Sequence, residues 1–316
     1  MDVVQNFVKN TMLINDFSNL AKTINADIIP IKGMALLLSI YKDNIGERML
    51  SDIDILISEK DLETVVEGMY QNGYVMIERM FGKGRYRHRK TFTFHHTENK
   101  KCDIDVHTCL VTNKFFRDTI GNFNEDTLRN VETAQYNNLT IKVLSPIYNW
   151  IFLAQHYCFH LFCKKKWLHD LYVIQNSFSQ DQIDELCKLV KQYNMERVYN
   201  ASVSHLLNEY GANVKLPLLD IHHSLLFRRY LSKKFDVTKM RKTTSKILGA
   251  FCEFTFISKA KDRFKQFLRL LFPSMDNLRQ IYSITSVIVL ILMYPVNFVI
   301  VLLFSLIYCM ILIAKK

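Results

Sequence analysis

The sequence predicts an α+β domain, a helical domain and a C-terminal membrane helix, in that order along 316 residues. Strand and helix patterns alternate within residues 1–140, and only helical patterns follow from Pro146 to about residue 229. From residue 284 to residue 314 no side chain is charged, and this run exceeds the roughly 20 apolar residues that a helix needs to cross a bilayer. We therefore divide the chain into residues 1–140, 141–270 and 271–316.

The first domain begins with a helix over residues 3–25, where apolar side chains recur at helical spacing. The segment "ADIIPIKG" then predicts a strand that ends at Gly33, and "MALLLSIYK" predicts the helix that follows it. A second strand, "SDIDILIS", leads into a helix over residues 59–71. Three further strands with antiparallel character follow, and their sequences are "GYVMIER", "KTFTFHH" and "KCDIDVHTCL".

The C-terminal apolar run is interrupted by Pro295 and Asn297, so it predicts either one kinked span or a re-entrant hairpin. The segment "KAKDRFKQFLR" before it is basic and amphipathic. Because basic residues stay on the cytoplasmic side of a membrane, we expect the body of the protein at the cytoplasmic face, with the C-terminal segment as its anchor.

The net charge of +11 indicates an anionic partner, for which nucleotide phosphates, a lipid surface and nucleic acid are the alternatives. The basic loop "GKGRYRHRK" has the composition of a lipid-binding or nucleotide-binding segment. No recognised nucleic-acid-binding module accompanies it, so we do not expect nucleic acid as a partner. The seven cysteines form no CxxC pair, which favours buried thiols in a reducing compartment.

Two pairs of acidic residues lie on strands whose other residues are apolar. Asp52 and Asp54 are two residues apart and therefore face the same side of their strand, and Asp103 and Asp105 repeat the arrangement, with His107 next on that face. Like charges this close repel one another, and a divalent cation is the natural compensation. The pattern predicts a Mg²⁺ site, because Mg²⁺ binds carboxylates together with substrate phosphates.

A lysine followed by a glycine precedes the first acidic strand. Lys32 and Gly33 end a strand where a helix begins, so free backbone N–H groups and the positive end of the helix dipole would meet an anion there. Glycine permits close approach of a phosphate, and the lysine adds a full positive charge.

This order of motifs resembles the nucleotidyltransferase superfamily of DNA polymerase beta and, within it, a family of uncharacterised nucleotidyltransferases often found among bacterial surface-polysaccharide genes. The residues that carry the resemblance are "IKGMALLLSIY", "ERMLSDIDILI" and "CDIDVH". Where such proteins usually have glycine followed by glycine or serine, this chain has Lys-Gly. The resemblance implies a polymerase-beta-like mixed sheet.

By that resemblance Asp52, Asp54 and Asp105 are the catalytic residues and hold Mg²⁺, while Lys32, Gly33 and Arg48 bind the substrate phosphates. Asp103 competes with Asp105 for the role of third carboxylate. His107 is a candidate partner behind the metal ligands. The resemblance extends to "SPIYNWIFLAQHYCFHLFCKKKWLHDLYVI", where Asp170 is expected to contact nucleotide or acceptor.

The predicted reaction is transfer of NMP from an NTP to an acceptor hydroxyl. The C-terminal segment suggests that the acceptor is itself lipid-linked, such as a polysaccharide precursor. Two other functions stay open: a catalytically silent, membrane-tethered protein that binds nucleotide or acts as a scaffold, and an adenylyltransferase that acts on a soluble small molecule. His156 and His160 are four residues apart, which suits metal ligation, but no third ligand is nearby in sequence and a structural role is favoured.

Overall fold

A computed structural model describes residues 3–77, 90–98, 102–136, 139–221, 254–275 and 286–313. All of the basic loop "GKGRYRHRK" except Lys90 lies outside these residues. The chain divides into two compact units. The first comprises Met1–Thr112, Asn122–Leu153 and Asp170–Gln182, and the second comprises Asn113–Gly121, Ala154–His169 and Ile183–Lys316. The domain limits at residues 140 and 270 stay a prediction.

A five-stranded mixed sheet forms the centre of the first unit. In spatial order its strands are β1 (Ile29–Pro30), β2 (Ile53–Leu56), β5 (Ile104–His107), β4 (Thr91–His96) and β3 (Tyr74–Met76). β2 and β5 run parallel, and the other neighbouring pairs are antiparallel. The predicted mixed sheet is therefore confirmed, including the antiparallel pairing among its last three strands.

A second sheet in this unit is a hairpin of β6 (Val131–Tyr136) and β7 (Leu139–Leu144), which the sequence analysis did not predict. The hairpin contacts helix α2 (Lys32–Ser39), and β7 also contacts β1. Because of this, α2 is covered on all sides, and its residues from Gly33 to Leu38 are buried. A helix that is apolar around its whole circumference is typical of such a position.

Three further helices belong to the first unit: α1 (Val3–Thr23), α3 (Leu62–Gln71) and α5 (Phe123–Arg129). In α1 the buried side chains of Leu13, Phe17 and Leu20 recur at spacings of four and three, so one stripe of the helix faces the core. The same spacing buries Val65 and Met69 of α3.

From residue 146 onward the described chain is helical, as predicted. Three helices have residues in both units: α6 (Pro146–Phe159), α7 (Lys165–Ser177) and α8 (Gln180–Gln192). The second unit also holds α4 (Lys114–Arg117), α9 (Glu196–Tyr210), α10 (Ala260–Leu271) and α11 (Val287–Ile313). Its core includes Tyr193, Tyr199 and Leu206, which are almost completely buried.

Among the residues that the structure describes, none of the helices unites the length and the apolar character that a membrane crossing requires. The C-terminal membrane helix of the sequence analysis therefore has no support from the structure.

Candidate metal and phosphate site

Asp54 and Asp105 lie directly opposite one another on neighbouring strands. The parallel register of β2 and β5 pairs Ile53 with Ile104, Asp54 with Asp105 and so on along both strands. Because side chains alternate along a strand, both carboxylates face one side of the sheet while the isoleucines pack on the other. The repeated sequence pattern Asp-Ile-Asp therefore places one aspartate from each strand side by side.

Asp54 is at the centre of this group. Its carboxyl is buried, and the Oδ1 atom lies 2.5 Å from Nζ of Lys32 and 2.9 Å from Nε2 of His107. Burial acts to raise the pKa of Asp54, but the positive charge of Lys32 and the hydrogen bond from His107 outweigh it. The pKa of Asp54 therefore lies well below its usual range, and the carboxylate is ionised at neutral pH.

Lys32 reaches Asp54 from the junction of β1 and α2. The preceding residue, Ile31, donates its backbone N–H to the carbonyl oxygen of Asp54 at 3.0 Å, which holds the junction against β2. Lys32 itself has a φ of 51°, in the left-handed region that residues with a Cβ rarely adopt. Its ammonium also lies 5.8 Å from the ring centroid of Phe152. Such strained residues are concentrated at functional sites.

Asp105 has a different environment from Asp54. Thr93, which pairs with it across the β4–β5 ladder, donates its hydroxyl to Oδ1 of Asp105 at 2.7 Å. Burial raises the pKa of Asp105, and the negative charge of Asp54 adds to this, so the net pKa is raised despite the bond from Thr93. Two neighbouring carboxylates thus have pKa values shifted in opposite directions, which is the arrangement that separates an electrostatic role from a proton-accepting one.

One ligand atom each from Asp54, Asp105 and His107 lies within 4.8 Å of the others, and this is the group among the described residues that could hold a metal ion. The two carboxylates suit Mg²⁺ or Mn²⁺. The imidazole of His107 is a less usual ligand for Mg²⁺ and already contacts Asp54, which fits the predicted supporting role.

Asp52 and Asp103, both predicted to belong to the site, lie outside this group. Asp52 precedes the first residue of β2, in a bend where strand alternation does not yet apply, and it accepts a hydrogen bond from Ser51 Oγ at 2.6 Å. Asp103 precedes β5, is about half exposed and contacts the imidazole of His95. The structure thus brings Asp105, and not Asp103, next to Asp54, while a metal-binding role for Asp52 stays a prediction.

Arg48 and Asp170, predicted as substrate-binding residues, contact each other. Nε and Nη2 of Arg48 donate to the two carboxylate oxygens of Asp170 at 2.9 and 2.8 Å, and the residues are 8% and 1% exposed. Burial acts to lower the pKa of Arg48, but the hydrogen bonds to Asp170 and its negative charge outweigh this effect. The pKa of Arg48 is therefore raised, and the guanidinium stays charged. The side chain of Asn10 donates to the carbonyl oxygen of Arg48 at 2.7 Å and fixes its backbone.

Gly33 has a packing reason that the sequence did not show. A Cβ at this position would meet Nη1 of Arg48 and would lie 2.6 Å from Cδ1 of Leu50. Glycine at position 33 therefore lets the Arg48 side chain pass across the first turn of α2 to reach Asp170. Binding of phosphate at Gly33 stays a prediction.

His156 and His160 form an aromatic cluster with Trp167 in the second unit. The ring centroids of the two histidines are 4.4 Å apart, and Trp167 lies 4.4 Å from His156 and 5.1 Å from His160. Neither histidine belongs to a metal-binding group among the described residues. Ring packing is consistent with the structural role that the sequence favoured.

Sequence reasoning missed the partners of the site residues. Thr93, Asn10 and the direct ion pair of Lys32 with Asp54 were not predicted. Only Thr93 carried a signal, because the alternation in "TFTFHH" places it on the polar face of β4.

Comparison with solved structures gives low similarities. The solution structure of the antibiotic-resistance factor ANT(2'')-Ia shares 10% identity at a TM-score of 0.42, over 66% of this chain and all of that one. The crystal structure of an antigenic nucleotidyltransferase-like protein from Paracoccidioides brasiliensis shares 12% identity at a TM-score of 0.36, over 63% of this chain and 92% of that one. No curated protein matches the sequence.

A family model also matches the sequence. The model of the uncharacterised nucleotidyltransferase family covers residues 2–211, which contain both acidic strands, the Lys32 and Gly33 pair and the helices through α9. The chain therefore belongs to the uncharacterised nucleotidyltransferase family.

Proposed function

We propose that this protein is a Mg²⁺-dependent enzyme that transfers NMP from an NTP to an acceptor hydroxyl. The observation that carries the proposal is the placement of Asp54 and Asp105 opposite each other on β2 and β5, with the ammonium of Lys32 at Asp54. Family membership supports the class of reaction.

Asp54 and Asp105 fit the metal ion, because their carboxylate oxygens converge and, among the described residues, Asp54 alone of the two forms a direct ion pair with a lysine. We propose Asp52 as a further carboxylate of the metal site. Its side chain is partly exposed and accepts a hydrogen bond from the adjacent Ser51, and we propose that it turns toward the site when the metal ion binds. Bound Mg²⁺ would stabilise negative charge on the triphosphate and on the attacking oxygen.

The protein's own residues supply positioning, charge and a proton acceptor. Asp105, which lies opposite Asp54 on the neighbouring strand and therefore beside the proposed metal ion, is the candidate base for the proton of the acceptor hydroxyl. That oxygen forms a bond to the α-phosphorus as the bond from this phosphorus to the bridging oxygen breaks, and pyrophosphate leaves with the electron pair. We propose that Lys32, whose ammonium lies at Asp54, balances negative charge on the phosphates. Nε and Nη2 of Arg48 both donate to the carboxylate of Asp170, so we assign this pair to positioning α2 and the segment before β2.

For the acceptor, we propose a lipid-linked molecule such as a precursor of a bacterial surface polysaccharide, used at the cytoplasmic face of the membrane. Support comes from the uncharged residues 284–314 and the basic segment before them.

The test is transfer of radiolabel from each α-labelled NTP, with Mg²⁺ and membrane lipid extract, by the full chain and by variants. We expect labelled lipid with the parent, and a loss of about 100-fold or more with Asp54→Asn or Asp105→Asn, since a displaced catalytic group costs about two orders of magnitude or more. Glu67→Gln, which removes an exposed acid from α3 of the same unit, is the matched control and should retain parental activity. Circular dichroism checks that each variant is folded.

Equal labelling by the parent and the aspartate variants would contradict the enzymatic proposal and leave the silent nucleotide-binding protein. Labelling of a water-soluble product alone would reject the lipid-linked acceptor while preserving the reaction class.

A further inference from the structure

We propose that one face of α10 binds the surface of an anionic lipid bilayer. We call it the basic-aromatic face, and it consists of Lys261, Phe264, Lys265, Leu268 and Phe272. The interaction is independent of nucleotidyl transfer, because none of these residues belongs to the site around Asp54.

The spacing of these residues puts them on one side of the helix. At 3.6 residues per turn, steps of three and four confine the five positions to an arc of roughly 100°. Phe264 is 65% exposed, Leu268 40% and Phe272, which directly follows the helix, 60%. Large apolar side chains exposed in a row mark an interaction surface rather than an ordinary part of a soluble exterior.

The charges on α10 are divided between two sides. Arg263 is partly buried and donates to the carbonyl oxygens of Ile257 and Ser258, and Arg269 forms an ion pair with Asp118 at 2.6 Å. Lys261 and Lys265 are exposed beside the aromatic side chains, and neither makes an ion pair with another described residue. The face therefore presents cations and apolar groups together and contains no acidic residue.

This combination identifies lipid as the occupant. An amphipathic helix that lies at a membrane surface buries its apolar side chains among the acyl chains, while its lysines meet anionic headgroups. The core of a protein interface, by contrast, is depleted in lysine. Interleaving of Lys261 and Lys265 with Phe264 and Leu268 on one narrow face suits headgroups better than a protein surface.

Helix α11 holds α10 in this orientation. The side chain of Asn297 is buried within the pair of helices and donates to the carbonyl oxygens of Leu270 and Leu271 at 2.9 and 3.2 Å, so it satisfies the last turn of α10. The hydroxyl of Tyr294 donates to the carbonyl oxygen of Pro273 at 2.9 Å. Apolar side chains of α11 extend the exposed surface: Ile288, Ile291, Leu292, Val299, Leu303 and Leu306.

The test is flotation of the full chain with phosphatidylcholine vesicles that contain or lack phosphatidylglycerol, without any nucleotide. We expect the partition coefficient to rise with phosphatidylglycerol and to fall with added salt. The double variant Lys261→Gln/Lys265→Gln should lose roughly 25-fold in partition, from about fivefold per lysine. The matched control Lys188→Gln/Lys191→Gln removes two exposed lysines from α8 of the same unit and should stay within about twofold of the parent.

A second pair of variants tests the apolar part. Phe264→Ser should reduce partition about tenfold or more, because an aromatic side chain leaves the acyl region, whereas Leu218→Ser at an exposed position outside the face should have little effect. Partition that depends neither on phosphatidylglycerol nor on Lys261, Lys265 and Phe264 would overturn the proposal. Since no nucleotide is present, that result would leave the nucleotidyltransferase reaction unaffected.

Discussion

The buried ion pair of Arg48 and Asp170 offers the sharpest test of how the first unit is held together. Asp170→Ala leaves the guanidinium of Arg48 charged, only 8% exposed and without either of its carboxylate acceptors. Removing one partner of a buried pair destabilises a protein by about 3–5 kcal/mol. Replacing both partners with apolar residues of similar volume is close to neutral. The double variant Arg48→Met/Asp170→Leu should therefore recover most of the lost free energy of unfolding.

Urea unfolding measures these differences, and Trp150 is a local probe because its indole N–H donates to the carbonyl oxygen of Leu171, next to Asp170. The chain has two tryptophans, so Trp167→Phe in every protein makes Trp150 the single reporter. With an m-value of about 2 kcal/mol/M, the single variant should shift the unfolding midpoint down by about 1.5–2.5 M.

The control is Asp27→Asn, which removes an ion pair at the surface, where Asp27 is 65% and its partner Lys142 is 48% exposed. Such a pair contributes at most about 1 kcal/mol. A cost below about 1 kcal/mol for Asp170→Ala, or a double variant as unstable as the sum of the two single ones, would refute a structural role for the pair. Arg48 would then be available for phosphates, as the sequence predicted.

Three further predictions follow from the same geometry. Gly33→Ala should lower the free energy of unfolding by about 1–3 kcal/mol, because the added Cβ overlaps Arg48 and Leu50. Leu50→Val in the same chain should restore part of this loss, as thermal unfolding will measure. An unchanged Tm for Gly33→Ala would contradict the overlap. Asp54 has a lowered pKa when folded, so it stabilises the protein above its unfolded pKa of about 3.9, and this contribution is lost as the pH falls further. The loss of stability between pH 5 and pH 2.5 should accordingly be smaller in Asp54→Asn than in the parent, as urea midpoints at both pH values will show, and equal losses would be evidence against it. Calorimetric titration should show that Asp52→Asn binds Mn²⁺ at least tenfold more weakly than the parent, since loss of a ligand or its support typically costs about 10–100-fold in affinity. Asp103→Asn should change the affinity by no more than threefold. The reverse order would make Asp103, and not Asp52, the residue that belongs to the metal site.

The part of the site that is local in sequence could be predicted, because side-chain alternation is fixed by strand geometry. The pattern Asp-Ile-Asp placed Asp54 and Asp105 correctly on polar faces, and their strands are neighbours. Asp52 lies in the bend before β2, where strand alternation does not decide the direction of a side chain, so its place in the site stays a prediction. The β6–β7 hairpin was missed because the two residues between its strands in "VETAQYNNLTIKVL" are Asn-Asn, which tolerates a turn but is not one of the glycine-containing pairs typical of a hairpin.

Contacts between distant parts of the chain had no local signal. Arg48 and Asp170 are 122 residues apart. The sequence around each of them indicates only a charged residue that could bind substrate. The absence of a side chain at Gly33 is explained by the packing of Arg48 and Leu50 against it. Sequence patterns report the face on which a residue lies, whereas the identity of its partner depends on how the elements pack.

Positions 32 and 33 have different physical requirements, one in backbone conformation and the other in space for a side chain. Position 32 has the positive φ for which glycine would be the least strained residue, yet it carries lysine at a cost of roughly 1–2 kcal/mol. Position 33 needs no special φ but has no room for a Cβ. Backbone preference alone would favour glycine first. The chain retains the strained lysine because its ammonium is the counter-charge of Asp54, and the glycine stands where Arg48 must pass. The ion pair of Lys32 with Asp54 therefore outweighs the backbone strain at position 32.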